Sequence, residues 1–261
     1  MSVEKTPSHI FDLAADEGER RLDQTTLELV ATGFIAGFTI VFGVLAMGIV
    51  EGLAGPRMGE LARVHGAMAF AIGIVLLIVG RAELFSENFF DPIAAMFKFR
   101  RPGAARRLAR LWSVTLVFNL VGAALMLFVL SAEGALPSGT SEALIRMAQD
   151  IAGREPLHTL ARAVVGGALV SLLSYLVIAA DGTGARIILA YFVGFLLALG
   201  PFDHVVVSVI HLGFGLLFEA QIGALALAEV TALAIVGNLI GGVGLVTLSH
   251  AAQALGCRDE D

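Results

Sequence analysis

The sequence predicts an all-α integral membrane protein with six transmembrane helices, and three observations support this fold class. Hydrophobic residues make up 57% of the 261 residues and charged residues only 15%, whereas about a quarter of the residues in a soluble domain are charged. The mean hydropathy is +0.85. The chain also contains six long apolar stretches, and about 20 apolar residues suffice for a helix to cross the hydrocarbon core.

The ends of the chain are polar, and the six predicted spans lie between them. Residues 1–27 lack the basic start and apolar core of a secretory signal, and we expect them to form a cytoplasmic N-terminal amphipathic arm. The transmembrane transport domain is expected over residues 28–256 and a cytoplasmic tail over residues 257–261. The predicted spans lie near residues 28–54, 65–97, 110–132, 159–181, 186–218 and 223–256.

The second and fifth spans are too long for one simple crossing, and polar residues interrupt both. The second contains "GRAELFSEN" from Gly80, and the fifth contains "GPFDHVVVSVIH" from Gly200. Irregular backbone inside a membrane is tolerated only where protein buries it or where it lines a cavity. Both spans are therefore predicted to be broken helices beside a pathway.

Lysine and arginine are concentrated in the loop after the second span, "KFRRPGAARRLAR" from Lys98. Cytoplasmic loops carry an excess of these two residues, so we expect this loop on the cytoplasmic side. With six spans, the N and C termini then lie on the same side. The sequence thus predicts a multi-pass protein of a bacterial-type inner (plasma) membrane.

Two halves of the transmembrane domain share a short pattern. The third span contains "VFNLVGAALMLFVLS" and the sixth "VGNLIGGVGLVTLSH", which align at Asn119 and Asn238. Pairs with a similar offset are Gly80 with Gly200 and Glu83 with Asp203. Because each half has three spans, the second is expected to lie upside down relative to the first, as in transporters with inverted repeats. The repeats are expected over about residues 28–132 and 159–256.

Placing an ionisable side chain inside a membrane span costs free energy, so each such residue suggests a function. We expect Glu83, Asp203 and Arg81 to be structural charges at the helix breaks, which cap half-helices or pair with one another. His204 is expected to act on a permeant, because an unperturbed imidazole titrates at about pH 6.5 and can present a charge or a proton. His211 is expected to form a hydrogen bond between helices.

The sequence contains no motif of a covalent enzyme, a nucleotide-binding loop or a metal centre. The single cysteine, Cys257, has no partner for an intramolecular disulfide. We therefore expect no catalytic residue, no cofactor and no metal. The expected partners are the lipid bilayer, further copies of the chain and a small permeant, but no nucleic acid.

Three ordered motifs resemble those of the formate/nitrite transporter family. "GRAELFSENFF" is similar to the omega-loop signature of that family, "PFDHVVVSVIH" to its F-E-H-S-x-x-N segment, and "VGNLIGGVGLV" to its final-helix G-N-x-x-G-G. The resemblance extends from about residue 27 to residue 254, and "DEGERRLDQTTLELVATGFIAGF" resembles the divergent YfdC-like branch of the family. It implies an aquaporin-like protomer with its own pore and a homopentamer.

The resemblance also implies roles for individual residues. His204 takes the place of the central pore histidine, near which a small monovalent anion is protonated so that the neutral acid can cross an apolar constriction. Phe70 and Leu197 fall at the constriction. The omega-loop triplet is Leu84, Phe85 and Ser86. Further pathway positions are Ser171, Ser174 and Ser208.

The chain departs from the family pattern at positions that affect selectivity. Where the family usually has a vestibule lysine before the fourth span, Arg154 is the nearest cation, and Ser171 stands in place of an asparagine. Glu87 replaces a small neutral residue and would repel anions if it faced the pore. Glu87 and Arg154 are therefore the candidate selectivity residues.

Three functional hypotheses follow. The leading one is a channel or transporter for small monovalent anions or their weak acids, either passive or proton-linked through His204. The alternative is a pore for a neutral small solute or a monovalent cation, favoured by Glu83, Glu87, the missing vestibule lysine and the serines. The third is a membrane scaffold or sensor that signals through the acidic arm and the basic loop.

Overall fold

The computed structural model describes residues 5–256, and this range is helical, without a β-strand. Six helices are long and apolar enough to cross a membrane, so the predicted all-α membrane fold is confirmed. Residues 1–4 of the predicted arm and residues 257–261 of the predicted tail lie outside the described range.

Eleven α-helices form the described chain. They are α1 (Pro7–Leu22), α2 (Thr26–Met58), α3 (Leu61–Gly80), α4 (Asp91–Phe99), α5 (Ala104–Leu130), α6 (Thr140–Ala152), α7 (Pro156–Ala179), α8 (Gly182–Leu199), α9 (Val205–Leu217), α10 (Ala224–Leu239) and α11 (Leu248–Gly256). A 3-10 helix, Phe85–Phe89, precedes α4, and a π-helical segment, Ile240–Thr247, joins α10 to α11.

Both interrupted spans are broken, as predicted. The first break separates α3 from the 3-10 helix, and Arg81 ends α3 in a left-handed conformation with φ of 53°. The second break separates α8 from α9 and runs from Gly200 to His204. Leu84 and His204 have extended backbone where the chain re-enters helical structure. The two breaks thus bring non-helical backbone into the core of the bundle.

The polar N-terminal arm forms α1, which packs onto the bundle. The side-chain oxygen of Thr6 accepts a hydrogen bond from the backbone N–H of His9, and proline opens the first turn, both of which favour a helix start. The apolar side of α1 buries Phe11, Ala14 and Ala15 in a cluster with Phe90. We call this side of the bundle, where α1 meets α4 and the C-terminal end of α7, the arm end.

Helix α6, between the third and fourth spans, was not predicted from the sequence. It buries Ala143, Leu144, Ala148 and Ile151, which recur at helical spacing, while most of its other residues are polar or charged. A helix of 13 residues is too short to span a membrane, which is why a search for spans misses it. It packs mainly against α9 and α2, at the opposite end of the bundle from α1.

Candidate functional site

A buried asparagine in α5 holds the first helix break. The Asn119 side-chain oxygen accepts a hydrogen bond from the backbone N–H of Phe85 at 2.9 Å. Its amide nitrogen donates to the carbonyl oxygens of Gly33 at 2.8 Å and Glu83 at 3.1 Å. A helix break leaves backbone groups without their usual partners, and buried groups of this kind need new ones. Asn119 supplies such partners to the backbone on both sides of Leu84, at Glu83 and at Phe85.

Asn238 in α10 holds the second break in the same way. Its side-chain oxygen accepts from the N–H of Val205 at 2.9 Å, and its amide nitrogen donates to Ala163 and Asp203, both at 2.8 Å. The shared N-L-x-G pattern therefore marks two equivalent anchors. The sequence singled out both asparagines as repeat partners without assigning this role to them. The inverted orientation of the two halves stays a prediction.

The two breaks meet at His204 and Ser86. His204 immediately precedes α9, is 1% exposed, and its Nε2 atom is hydrogen-bonded to the hydroxyl oxygen of Ser86. The Nδ1 atom of His204 is buried and has no hydrogen-bond partner among the described residues. The structure thus brings together the predicted pore histidine and the predicted omega-loop serine, which are far apart in the sequence.

Beside this junction lies a cavity of about 350 Å³, which we call the vestibule. Its wall comes from α2, α3, α6, α7, α8 and α9, from Arg154 after α6 and from the break before α9. The four vestibule arginines are Arg63, Arg146, Arg154 and Arg162, and the three vestibule carboxylates are Glu51, Asp150 and Asp203. Among the residues that line the cavity, arginines therefore outnumber carboxylates by one.

The predicted constriction residues line the same cavity. Phe70 and Leu197 both border the vestibule, and they are 1% and 2% exposed. They belong to a hydrophobic cluster that also contains Leu84 and Phe85 of the omega-loop triplet. Apolar side chains thus separate the vestibule from the centre of the bundle, where a charged solute would pay a large desolvation penalty.

Arg154 and Asp203 form the central ion pair of the vestibule. One terminal nitrogen of Arg154 lies 3.0 Å from each carboxylate oxygen of Asp203, and the other donates to Asp150 at 2.9 Å. The Ser208 hydroxyl donates to Asp203 at 3.1 Å. Asp203, the residue next to His204, is therefore held by α9 and by the segment after α6, and Ser208 lines the vestibule.

Glu83, at the first break, pairs with the arm instead of with Arg81. Its carboxylate accepts a hydrogen bond from Gln24 at 3.0 Å and lies 3.3 Å from Arg20 and 3.9 Å from Arg21. The expected pair between Glu83 and Arg81 does not form, because the left-handed end of α3 leaves Arg81 exposed. Glu83 and Asp203 thus each meet an arginine from another part of the fold.

Glu87 does not face the vestibule. It is 5% exposed, and its carboxylate accepts a hydrogen bond from the N–H of Leu84 at 3.1 Å, which caps the 3-10 helix. Ser174 donates to the carbonyl oxygen of Glu87 at 3.2 Å, and Ser171 donates to that of Gly242 at 3.1 Å. In the structure, these three predicted pathway or selectivity residues therefore hold the backbone near the breaks, and none lines the vestibule.

Sequence reasoning did not identify Arg21 as part of this site. Arg21, on α1, donates to the Glu87 carbonyl oxygen at 3.3 Å and to the Asn88 side chain at 3.1 Å. It also lies 3.4 Å from the buried carboxylate of Asp91. The acids of the re-entrant segment and the arginines of the arm were both visible in the sequence, but nothing local indicates that they meet.

Within residues 5–256, no group of three or more histidine, cysteine or acidic side chains could hold a metal ion. The titratable residues near the breaks are instead in ion pairs or in hydrogen bonds to backbone and hydroxyl groups. The arrangement is that of a cavity beside two helix breaks, with two buried imidazoles, those of His204 and His211.

Known proteins share both the sequence pattern and the fold. A family model described as "Formate/nitrite transporter" matches residues 8–252. The chain is 24% identical to the inner membrane protein YfdC of Escherichia coli (strain K12) over 249 residues, which cover 94% of this chain and 77% of that protein. It is also 24% identical to the formate channel BtFdhC of Bacillus thuringiensis over 247 residues, with 94% of each chain covered.

Two solved structures have the same fold. An FNT family ion channel superposes with a TM-score of 0.83 at 16% identity, covering 94% of this chain and 98% of that chain. A pentameric formate channel with formate bound superposes with a TM-score of 0.72 at 15% identity, covering 88% and 98%.

Proposed function

The chain belongs to the formate/nitrite transporter family, and from this premise we propose that it conducts small monovalent anions or their weak acids across a membrane. Channels and transporters make up this family, so the protein is a membrane transport protein and not an enzyme. Formate and nitrite are the substrates to test first, because a formate channel is among its relatives.

The junction between His204 and Ser86 carries this proposal. It places a fully buried imidazole where the two broken helices meet, next to a vestibule with an excess of positive charge. A histidine can exchange a proton near neutral pH. We propose that the vestibule arginines attract the anion, that protonation occurs near His204, and that the neutral acid passes Phe70 and Leu197.

The contacts of Glu87 favour this proposal over a pore for a neutral solute or a cation. That alternative rests on Glu83, Glu87, the missing vestibule lysine and the serines. Glu83 pairs with the arm. Glu87 caps the 3-10 helix, and Ser171 and Ser174 donate to backbone carbonyl groups. An acid bound in this way does not present a cation site to the vestibule, where arginines outnumber carboxylates.

We also propose a homopentamer in a bacterial-type inner membrane, with the arm end in the cytoplasm. One solved structure of the same fold is a pentameric formate channel, and YfdC is an inner membrane protein. The basic residues that follow the second span lie at the arm end, in agreement with the excess of lysine and arginine in cytoplasmic loops. The acidic arm would then dock from the cytoplasm.

The test is uptake of formate and of nitrite into proteoliposomes between about pH 5 and pH 7, the range around the ordinary histidine pKa. We expect uptake to rise as the pH falls in the wild type and to lose this dependence in His204→Asn. His65→Asn is the matched control, because His65 is an exposed histidine on α3. Absence of both fluxes in the wild type would refute the proposal. A cation current that persists in His204→Asn would support the alternative.

A further inference from the structure

The vestibule wall contains a second buried histidine that the proposed pathway does not use. His211 lies on α9, is 7% exposed and lines the vestibule. Its Nδ1 atom is 2.9 Å from the carbonyl oxygen of Val207, inside the same helix. The expected hydrogen bond to another helix is absent among the described residues, so interhelical bonding does not account for a buried imidazole at this position.

The bond to Val207 determines which ring nitrogen of His211 carries hydrogen. A carbonyl oxygen only accepts, so Nδ1 must be the donor. In the neutral ring, Nε2 is then left with a free lone pair, and in the protonated ring it becomes a second donor. This nitrogen can therefore accept a hydrogen bond from the O–H of a neutral acid, or donate one to the corresponding anion.

The charges around His211 suit a small anion or its acid. Arg154 is close enough to act electrostatically on the His211 ring, and the other vestibule arginines and the three vestibule carboxylates line the same cavity. Helix α9 also packs against α5 and α10, but neither contributes a charged residue to the vestibule wall. The arginines provide charge, which attracts anions from a distance, whereas a hydrogen bond to His211 is directional.

We propose that His211 is the docking residue of a vestibule subsite for a small carboxylic acid or oxyacid, in its anionic or its neutral form. This proposal rests on the proposed function, since it concerns the same cavity and the same class of permeant. Two histidines then have separate roles: the acid binds at His211 before it reaches His204, near which the proton is exchanged. Because Nε2 is a donor or an acceptor according to the protonation of the ring, one residue serves both forms of the permeant.

Binding is tested with formate as the probe and the full-length chain in nanodiscs, labelled with 13C in its histidine rings. The resonance of His211 is the one that disappears in His211→Gln. We expect formate to shift this resonance and to leave that of the exposed His65 unchanged. An unshifted His211 resonance would overturn the proposal whether or not the protein transports formate. A shifted resonance in a protein with neither formate nor nitrite flux would preserve the docking site and refute the proposed function.

Transport gives a second, independent readout. Loss of a hydrogen bond to a charged group weakens binding roughly tenfold or more, so in His211→Leu the formate concentration for half-maximal uptake should rise about tenfold. The maximal rate and the pH dependence assigned to His204 should remain. His211→Gln, whose amide still donates and accepts, should lie between the wild type and His211→Leu. Equal half-maximal concentrations in all three proteins would contradict the docking role.

Discussion

At the scale of single residues, three of the four buried acids near the helix breaks lie within 3.9 Å of an arginine from elsewhere in the chain, and the fourth, Glu87, caps the 3-10 helix. Asp203 meets Arg154, and Asp91 and Glu83 meet Arg21. A buried ion pair is weak evidence for stability, but removal of one partner leaves an uncompensated charge and is strongly destabilising. These charges therefore hold the breaks in place, while the imidazole between the breaks remains available for a permeant.

Arg21→Gln should destabilise the protein by about 3–5 kcal/mol, because it leaves buried acids without their cation. Thermal unfolding in detergent, followed by circular dichroism, measures the change. Arg20→Gln is the matched control on the same helix: the Arg20 side chain is 54% exposed, compared with 15% for Arg21, and an exposed pair contributes about 0–1 kcal/mol. Equal destabilisation by the two variants would show that the buried contacts of Arg21 are unimportant.

Asn119→Ala and Asn238→Ala should destabilise the protein to a similar extent. Each removes an equivalent set of hydrogen bonds to buried backbone groups, and each lost bond that leaves a group unsatisfied costs about 1–3 kcal/mol. Thermal unfolding in the same detergent checks this, with Ser131→Ala as a control at an exposed hydroxyl group. A large effect of only one asparagine variant would contradict the equivalence of the two breaks.

At the scale of elements, α1 is attached to the bundle by ion pairs around an apolar centre. Acidic residues of α1 and of the turn after it pair with basic residues of the α4–α5 region: Asp12 and Asp16 with Lys98, Glu19 with Arg101, and Asp23 with Arg107. Exposed pairs of this kind weaken with salt. The buried Phe11 cluster and Arg21 therefore provide the part of the docking energy that resists salt.

The helix α1 should lose stability in acid, because Glu17 pairs with Arg20 and Arg21 of the same helix. Burial alone raises the pKa of Glu17, but the hydrogen bond from Arg20 and the charge of Arg21 outweigh it and lower that pKa from 4.5 to about 2. A group whose pKa is lowered in the folded helix stabilises that helix above the ordinary pKa. The contribution of Glu17 is therefore complete above about pH 4.5 and is lost as the pH falls towards about 2.

Amide hydrogen exchange of α1 in the full-length chain, corrected for the intrinsic pH dependence of exchange, measures the stability of this helix. We expect the protection of the α1 amides to decrease as the pH falls below about 4.5. In Glu17→Gln, the part of this transition that belongs to Glu17 should be missing, so the pH profile should become shallower. Identical profiles with and without the Glu17 carboxylate would contradict the assignment.

At the scale of the whole molecule, the two ends of the bundle differ in charge and in packing. The arm end is covered by α1, and acidic residues of the arm pair there with basic residues of the α4–α5 region. The other end contains the vestibule with its four arginines and three carboxylates. Helix α7 joins the two ends, with Arg162 at the vestibule and the carbonyl oxygen of Ala179 bound to Lys5 of the arm. A permeant would therefore encounter different environments on the two sides of the breaks.

The proposed orientation can be checked with the single cysteine of the chain. If both termini are cytoplasmic, a membrane-impermeant maleimide should label Cys257 only after cells are permeabilised. Ser138→Cys in a Cys257→Ser background, at an exposed position between α5 and α6, should be labelled in intact cells. Labelling of Cys257 from outside would reverse the orientation and place the vestibule on the cytoplasmic side.

Hydropathy was sufficient to predict the six spans, and polar residues inside apolar runs were sufficient to predict the two breaks. The repeat of N-L-x-G pointed to the two anchoring asparagines before their contacts were known. Helix α6 was missed because it is short and amphipathic, so it resembles neither a span nor a break. The three contacts of Glu87, Ser171 and Ser174 were also missed, since residue type alone does not show whether a side chain faces a cavity or the backbone.

The sequence by itself determined the membrane fold, the number of spans and the position of the breaks, because these depend on hydrophobicity and helix length over about 20 neighbouring residues. Only the tertiary structure decided which charges pair, that Arg21 holds the re-entrant segment, and that Ser86 meets His204. Those contacts join residues from distant parts of the chain. They depend on how whole helices pack. The same arginines and acids could form other ion pairs, and only packing brings one particular arginine within a few ångströms of one particular acid.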